Sequence, residues 1–212
     1  MEAIILYLVL FFPGAGTASF ASEMGELGRI FIYIIPSLAL IWFLISDRNG
    51  LSALKKEKPK KEDLLPFSIS FPGLILISLG ISFLAGIISG YVETAPPPLI
   101  QSPENIPGWL LLFISCLGTG YLEESYFRFY LLTKLENQIP GKARRVIFST
   151  LLFSICHVYA GHWSVFNAAL AGIFLSVIFL RFRSLHAIAL AHGLYNFVVY
   201  VGSGWWMVDG GW

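Results

Sequence analysis

The sequence predicts an all-α fold, a polytopic bundle of about seven helices that cross a membrane. Of the 212 residues, 56% are hydrophobic and 13% are charged, whereas about 25% are charged in an ordinary soluble domain. The apolar residues also form separate segments, most of them close to the ~20 residues that cross a bilayer. No connection between the segments is long enough for a sizeable soluble domain, so we expect one integral membrane domain over residues 1–212.

Each predicted helix corresponds to one apolar run. The first run contains Pro13, Gly14 and Gly16, which a spanning helix tolerates where its neighbours satisfy the freed backbone groups. Because the chain begins Met1-Glu2, without a basic stretch, we expect this run to be retained and not cleaved as a signal peptide. The fifth run is short for a full span. In order, the segments are Ala3 to Ala21, Ile30 to Ile45, Phe67 to Val92, Gly108 to Leu132, Val146 to Tyr159, Val165 to Leu180 and Leu185 to Val201.

Lysine and arginine residues are distributed unevenly among the loops, and cytoplasmic loops carry the excess in membrane proteins. Of the 14 basic residues, 12 lie in the loops after the second, fourth and sixth segments, while Arg29 lies in another loop and Arg128 within a segment. We therefore predict that the amino terminus lies in the cytoplasm and Trp212 lies outside. The net charge is only +1 and the basic residues lie in loops between apolar segments, which argues against nucleic acid as a partner. The apolar composition predicts a lipid bilayer as the partner.

The fourth segment contains three charged residues, Glu123, Glu124 and Arg128, in otherwise apolar sequence. A charge at the centre of a membrane costs at least ~2.5 kcal/mol, so such residues are usually functional. Glu124 and Arg128 are four positions apart, which places them on one helix face where they can pair. Glu123 is turned by about 100° and needs another partner. We therefore expect a functional Glu123, with the other two residues supporting the site.

Three further polar residues lie on two other segments, namely His157 on the fifth and His192 with Asn196 on the seventh. The spacing of four places His192 and Asn196 on one helix face. At a rise of 1.5 Å per residue, Glu123, His157, His192 and Asn196 lie roughly 14, 17, 11 and 17 Å from the cytoplasmic ends of their segments. The sequence therefore predicts one layer that contains all four side chains.

Such a layer can activate water. A carboxylate, or a neutral imidazole beside it, can remove a proton from water, and imidazole and amide N–H groups can stabilise the oxyanion of a tetrahedral intermediate. Glu123 with His157 fits the first role, and His192 with Asn196 fits the second. Glutamate and histidine side chains are also zinc ligands that can leave a position open for water. The residues alone leave both kinds of hydrolytic site open.

The same residues form three motifs in chain order. They are EExxxR as Glu123, Glu124 and Arg128, FxxxH as Phe153 and His157, and HxxxN as His192 and Asn196. On three apolar segments, these motifs resemble those of the CPBP family of intramembrane proteases. That family includes the type II CAAX prenyl endopeptidases and many bacterial homologues once called abortive-infection proteins. The resemblance covers roughly residues 108–201.

The resemblance implies a helical membrane protease in which Glu123 is the general base together with His157. It also implies that His192 and Asn196 form the oxyanion hole and that Glu124 with Arg128 shapes the site. Similar members look metal-independent, so we expect no cofactor, with zinc as the alternative. We expect a prokaryotic plasma-membrane protein that acts on a membrane-associated or lipidated peptide or protein and is reached from the cytoplasmic side.

Two other classes of protein remain as alternatives. A catalytically silent scaffold or a bacteriocin-immunity protein would keep the helix bundle without needing every polar group. A proton-coupled transporter would also place glutamate, arginine and histidine inside the bundle, but such proteins usually show inverted repeats, and we see none in the sequence. The sequence does not indicate the oligomeric state.

Overall fold

The structure of the protein is a computed structural model. It describes residues 3–11, 35–36, 38–40, 60–89, 103 and 105–209, with only the backbone described over residues 203–209. Several predictions fall outside these residues. They are the first segment beyond residue 11, most of the second segment, most of the basic loop that follows it, and the position of Trp212.

Helices make up nearly all of the described part of the chain, and that part contains no strand. The predicted all-α class is therefore confirmed. The α-helices are α1 at residues 3–11, α2 at Leu64–Ser89, α3 at Ile106–Glu124, α4 at Lys142–Ile155, α5 at His162–Phe182 and α6 at Leu185–Asp209. A π-helix at Ser125–Lys134 directly follows α3, and short 3-10 helices occupy Lys61–Asp63 and Val158–Ala160.

Four helical stretches of the described chain are long and apolar enough to cross a membrane. They are Lys61–Ile88, Ile106–Lys134, His162–Phe182 and Leu185–Gly202. The protein is an integral membrane protein, as the sequence predicts. Helix α4 has 14 residues and extends about 21 Å, less than the ~30 Å hydrocarbon core. The fifth segment is thus short for a span, as expected, while the total of seven spans stays a prediction.

Helices α3 and α6 run antiparallel along most of their lengths. Near the start of α3, the rings of Phe113 and Phe197 meet at a centroid distance of 5.2 Å. Near its end, the hydroxyl of Tyr121 lies 3.0 Å from Nδ1 of His186. As the residue number in α3 increases, the residue number of its contact in α6 decreases. The two helices are therefore antiparallel.

Between these two contacts the backbones of α3 and α6 touch. A Cβ atom on Gly120 would lie 2.5 Å from the backbone oxygen of Ala189, and one on Gly193 would lie 2.8 Å from Cα of Leu117. Neither position has room for a side chain. Small residues of this kind let membrane helices approach closely, because lipid provides no hydrophobic force that presses them together.

Helices α4 and α5 form a second antiparallel pair. Gly161, with φ of 93°, lies in the connection between them, where a left-handed backbone angle favours glycine. A Cβ atom on Gly172 of α5 would lie 3.3 Å from the side chains of Thr150 and Phe153 in α4. The two helices therefore pack tightly close to the FxxxH motif.

The basic residues of the described chain collect at one end of the bundle. This end contains the link from the π-helix to α4 and the link from α5 to α6. It also contains the start of α2, because Gly73 packs against Phe174 and both lie about 12–14 Å from this end. We call it the basic end. Except for Arg128, every described basic residue lies there, namely Lys60, Lys61, Lys134, Lys142, Arg144, Arg145, Arg181 and Arg183.

Alanine at Gly120 or Gly193 is expected to destabilise the protein by about 1–3 kcal/mol, because the added methyl group forces the two backbones apart. Gly202 in α6 is the matched control, since no described atom lies within 4 Å of its Cβ position. Thermal unfolding in detergent should give lower midpoints for Gly120→Ala and Gly193→Ala than for Gly202→Ala. Equal midpoints for all three variants would contradict the backbone contact between α3 and α6.

Candidate active site

Glu124 and Arg128 form a buried ion pair where α3 meets the π-helix. Nε of Arg128 lies 3.2 Å from Oε2 of Glu124, and both side chains are fully buried. The guanidinium carbon also lies 4.4 Å from the centre of the Phe153 ring, and Nη2 lies 3.5 Å from the carbonyl oxygen of Gly172. The predicted pairing is therefore confirmed. We refer to Glu124 and Arg128 below as the buried ion pair.

The helix that contains these residues changes its winding at Glu124. The sequence predicts one continuous segment, whereas the structure has an α-helix up to Glu124 and a π-helix over Ser125–Lys134. Hydrogen bonds in a π-helix run between residues five apart, and this rare form is frequent at functional sites. All residues from 125 to 132 are buried. The two motif glutamates thus end the α-helical part, and Arg128 belongs to the π-helical part.

His192 of α6 lies between the two glutamates of α3. Its Nδ1 is 2.7 Å from Oε1 of Glu124, and its Nε2 is 3.5 Å from Oε2 of Glu123. An ionised carboxylate can only accept hydrogen bonds, so Nδ1 donates to Glu124. His192 therefore connects both glutamates.

His157 lies in a turn and not inside a helix. The sequence predicts an apolar segment up to Tyr159, whereas α4 ends at Ile155 and a 3-10 helix follows His157. Nδ1 of His157 is 2.8 Å from the carbonyl oxygen of Phe153. Because a carbonyl only accepts, Nδ1 has the hydrogen, and the neutral ring keeps a lone pair on Nε2. Nε2 is thus a proton acceptor in the neutral ring.

One cavity of about 240 Å³ brings together the side chains that the sequence predicts to be catalytic. Glu123, His157, His192 and Asn196 all line it, together with residues from α3, α4, α5 and α6. The buried ion pair is not among the lining residues. The geometry thus separates the six motif residues into four that face the cavity and two that lie behind them.

Glu123 and His157, which the sequence predicts to act together, each have another described partner. The described ion pair of Glu123 is with His192, and the described hydrogen bond of the His157 ring is with Phe153. Both side chains line the same cavity. A water molecule or a substrate atom in that cavity is therefore the group through which they can act together.

Sequence reasoning did not single out two further lining residues, Asn167 of α5 and Tyr195 of α6. Nδ2 of Asn167 donates to the hydroxyl of Tyr195 at 3.3 Å, and both side chains line the cavity. Tyr195 is three positions after His192 and so lies on the same helix face, a signal that could have identified it. Asn167 belongs to no motif, although an amide in an apolar segment is itself a sign of a polar neighbour.

The zinc alternative has no preformed site in the described part of the chain. No group of three or more histidine, cysteine, aspartate or glutamate side chains is arranged there to hold a metal ion. Nδ1 of His157 and Nδ1 of His192 are each engaged by a protein oxygen atom. The metal requirement stays a prediction.

Among the described residues, the lining of the cavity extends from the polar layer in one direction. Its lining residues in α3 run from Glu123 back to Leu112, and those in α6 run from His192 on to Tyr200. Both runs lead away from the basic end. The sequence predicts that the basic end faces the cytoplasm and also that the site is reached from the cytoplasm. If the basic end faces the cytoplasm, the described lining leads away from the cytoplasm. The expected orientation and the expected cytoplasmic entry therefore do not agree.

Comparison with known proteins identifies the same part of the chain. Residues 105–198 match the family described as Type II CAAX prenyl endopeptidase Rce1-like. The matched region contains all three motifs, and the resemblance predicted from them is confirmed. Neither the curated proteins nor the solved structures include a match to this chain.

Loss of one partner of the buried ion pair should be costly. We expect Glu124→Gln to destabilise the protein by about 3–5 kcal/mol, because the charge of Arg128 remains buried and unpaired. Combining Glu124→Gln with Arg128→Met removes that charge and should recover much of the stability. Unfolding by heat and by denaturant in detergent measures both effects.

The matched control for this prediction is Glu136→Gln. Glu136 is 66% exposed in its pair with Arg145, and surface pairs contribute only about 0–1 kcal/mol. If Glu124→Gln were as stable as Glu136→Gln, the buried ion pair would have no structural role.

Proposed function

Because residues 105–198 match a family of type II CAAX prenyl endopeptidases, we propose that the protein hydrolyses a peptide bond of a membrane-associated or lipidated substrate. The observation that carries this proposal is the single cavity lined by Glu123, His157, His192 and Asn196. A carboxylate, an imidazole acceptor and two hydrogen-bond donors around one space are the groups that acyl hydrolysis requires.

Glu123 is the general base toward water in the cavity. Its side chain is 14% exposed, so the carboxylate borders the cavity while the rest of the residue stays in the bundle. Nε2 of His157 accepts a hydrogen bond from the same water molecule and orients it. As the water oxygen bonds to the substrate carbonyl carbon, its proton moves to Glu123. The C–N bond then breaks, and the proton passes to the leaving amine.

His192 and Asn196 stabilise the oxyanion that forms during the attack. Their spacing of four places both donors on one helix face, and one such donor contributes about 2.7–4 kcal/mol to the transition state. Since Nδ1 donates to Glu124, His192 can also donate from Nε2 only when its ring has both protons. That positive charge, together with Arg128, balances the two glutamates of the motif.

The buried ion pair positions this donor. Oε1 of Glu124 holds the ring of His192 at 2.7 Å, and Arg128 holds the other oxygen of the same carboxylate at 3.2 Å. The hydrogen bond to Glu124 therefore limits rotation of the ring, and Nε2 stays directed toward the cavity that Glu123 also lines. In this role Glu124 and Arg128 act through His192 and do not touch the substrate.

The size of the cavity favours a short stretch of polypeptide around the scissile bond. Its volume of about 240 Å³ is below the ~300–1,000 Å³ typical of small-molecule pockets. The rest of the substrate must then lie outside the cavity. A membrane-associated substrate is favoured because the polar layer lies within helices that are themselves long enough to span a bilayer.

Replacement of Glu123 or His157 should strongly lower the cleavage rate without unfolding the protein. We expect Glu123→Gln and His157→Ala to lower kcat/KM by about 10²–10⁴-fold, the usual contribution of acid–base catalysis. The measurement is cleavage of membrane-anchored reporter peptides by the purified protein in liposomes. Glu136→Gln and His162→Ala are matched controls, because neither residue lines the cavity and both are exposed.

Thermal unfolding of each variant separates a loss of chemistry from a loss of structure. If Glu123→Gln and His157→Ala both kept full biological activity, the protease proposal would be wrong, and the silent scaffold or immunity protein would be favoured. Proton uptake that depends on Glu123 in the absence of any cleavage would favour the transporter.

Cleavage is expected to need no exchangeable metal. Incubation of the wild-type protein with a zinc chelator should leave the cleavage rate unchanged, because Glu123 and His157 activate water without a Lewis acid in the proposed mechanism. The rate is measured before and after chelation, with a known zinc protease as a positive control for the chelator. Loss of activity that added Zn²⁺ restores and Mg²⁺ does not would establish the zinc alternative.

A further inference from the structure

We infer that the substrate enters the cavity from the end of the bundle opposite the basic end, and that this is the non-cytoplasmic face of the membrane. The inference rests on the proposed function and names its substrate class. The substrate would be an uncharged, extended segment of a membrane-anchored polypeptide that is exposed on that face. This route replaces the expected entry from the cytoplasm.

The first support is the face of α3 that lines the cavity. Each of its lining residues is three or four positions from another one, which places all of them on a single helix face. From Glu123 to Leu112 this face extends about 16 Å toward the opposite end, and only about 9 Å of α3 remains beyond it. The residues are Leu112, Ser115, Cys116, Thr119 and Glu123.

Helices α5 and α6 extend the cavity in the same direction. The lining residues of α5 all lie between Ser164 and Ala171, and Ser164 is only two positions from the start of that helix at the opposite end. The lining residues of α6 begin at His192 and continue to Tyr200. In all three helices the lining residues therefore extend from the polar layer toward the opposite end.

Toward the basic end, packed side chains close the interior. Tyr126 and Phe127 are 0% exposed, and Leu131 and Leu132 are 1% exposed. No residue of the π-helix lines the cavity, and the buried ion pair also lies on this side. Through the described part of the chain, a route from the basic end would have to pass between these side chains.

The distribution of charge identifies the two membrane faces. Every described lysine and arginine except Arg128 lies at the basic end. Cytoplasmic loops of membrane proteins hold the excess of basic residues. The basic end therefore faces the cytoplasm, and the cavity extends toward the other face.

The chemistry of the lining indicates what the cavity accepts. Apart from Glu123 and the two motif histidines, the lining residues are uncharged, and no lysine or arginine is present to bind a terminal carboxylate. Oδ1 of Asn167 is buried and has no hydrogen-bond partner among the described residues. It can accept a hydrogen bond from a backbone N–H of an extended substrate. An uncharged internal segment fits this lining better than a charged chain end.

Thiol labelling tests the entry route without requiring activity. In a background with Cys116→Ala and Cys156→Ala, Thr119→Cys reports on the cavity. Ile106→Cys and Lys142→Cys report on the opposite and basic ends. Each variant of the full chain is treated with a charged methanethiosulfonate reagent in right-side-out and in inverted membrane vesicles.

We expect Thr119→Cys to react about tenfold or more faster from the outer face, as Ile106→Cys does, because a charged reagent does not cross the bilayer core. Lys142→Cys should show the reverse. Ser149→Cys is the matched control for a buried position toward the basic end, since Ser149 is 1% exposed, and it should not react from either face. The route would be overturned if Thr119→Cys followed Lys142→Cys, reacted equally from both faces or did not react.

Cleavage from each face separates this inference from the proposed function. The probe is an uncharged, lipid-anchored peptide with a fluorophore and a quencher, added to vesicles of each orientation. Cleavage only in right-side-out vesicles supports the inferred route. Cleavage only in inverted vesicles overturns the route but leaves the protease proposal intact. Outer-face labelling of Thr119→Cys without cleavage in either orientation contradicts the substrate class and the proposed function while supporting the route.

Discussion

Glu124 and Arg128 have opposite charges and lie fully buried in the bundle. A buried ion without a partner destabilises a protein by several kcal/mol. Each of the two charges therefore depends on the other. Both also have further contacts. The carboxylate accepts an N–H from His192, and the guanidinium lies against the ring of Phe153. The pair therefore fixes α3, α4 and α6 relative to one another. The buried ion pair lies behind the residues that line the cavity.

Hydrolysis inside a membrane requires a packed interior that holds the polar groups in place and a cavity that admits water. The motif residues divide between these two environments within a single helix turn. Glu124 faces the packed interior and Glu123 faces the cavity, a difference that follows from their ~100° angular separation. The helix changes to π-helical winding directly after Glu124, and the guanidinium of Arg128 pairs with Glu124 without lining the cavity.

The parts of this structure that follow from local geometry could be predicted from the sequence. Apolar runs indicated the helices, and the spacing of four predicted the pairing of Glu124 with Arg128. Similar depths predicted that Glu123, His157, His192 and Asn196 would lie in one layer. The end of α4 before His157, the π-helix and the position of His192 between both glutamates were not predicted. They depend on how side chains of different helices pack, and one-dimensional spacing does not contain that information.

The backbone contact between α3 and α6 has a consequence for the polar layer. Gly120 lies about one turn before Glu123, and Gly193 directly follows His192. The 3.5 Å distance between the carboxylate and the imidazole is therefore set where two helices touch through hydrogen atoms in place of side chains. A methyl group at either position would widen the gap by moving a whole helix. Glu123 and His192 stay close to each other because Gly120 and Gly193 have no side chains.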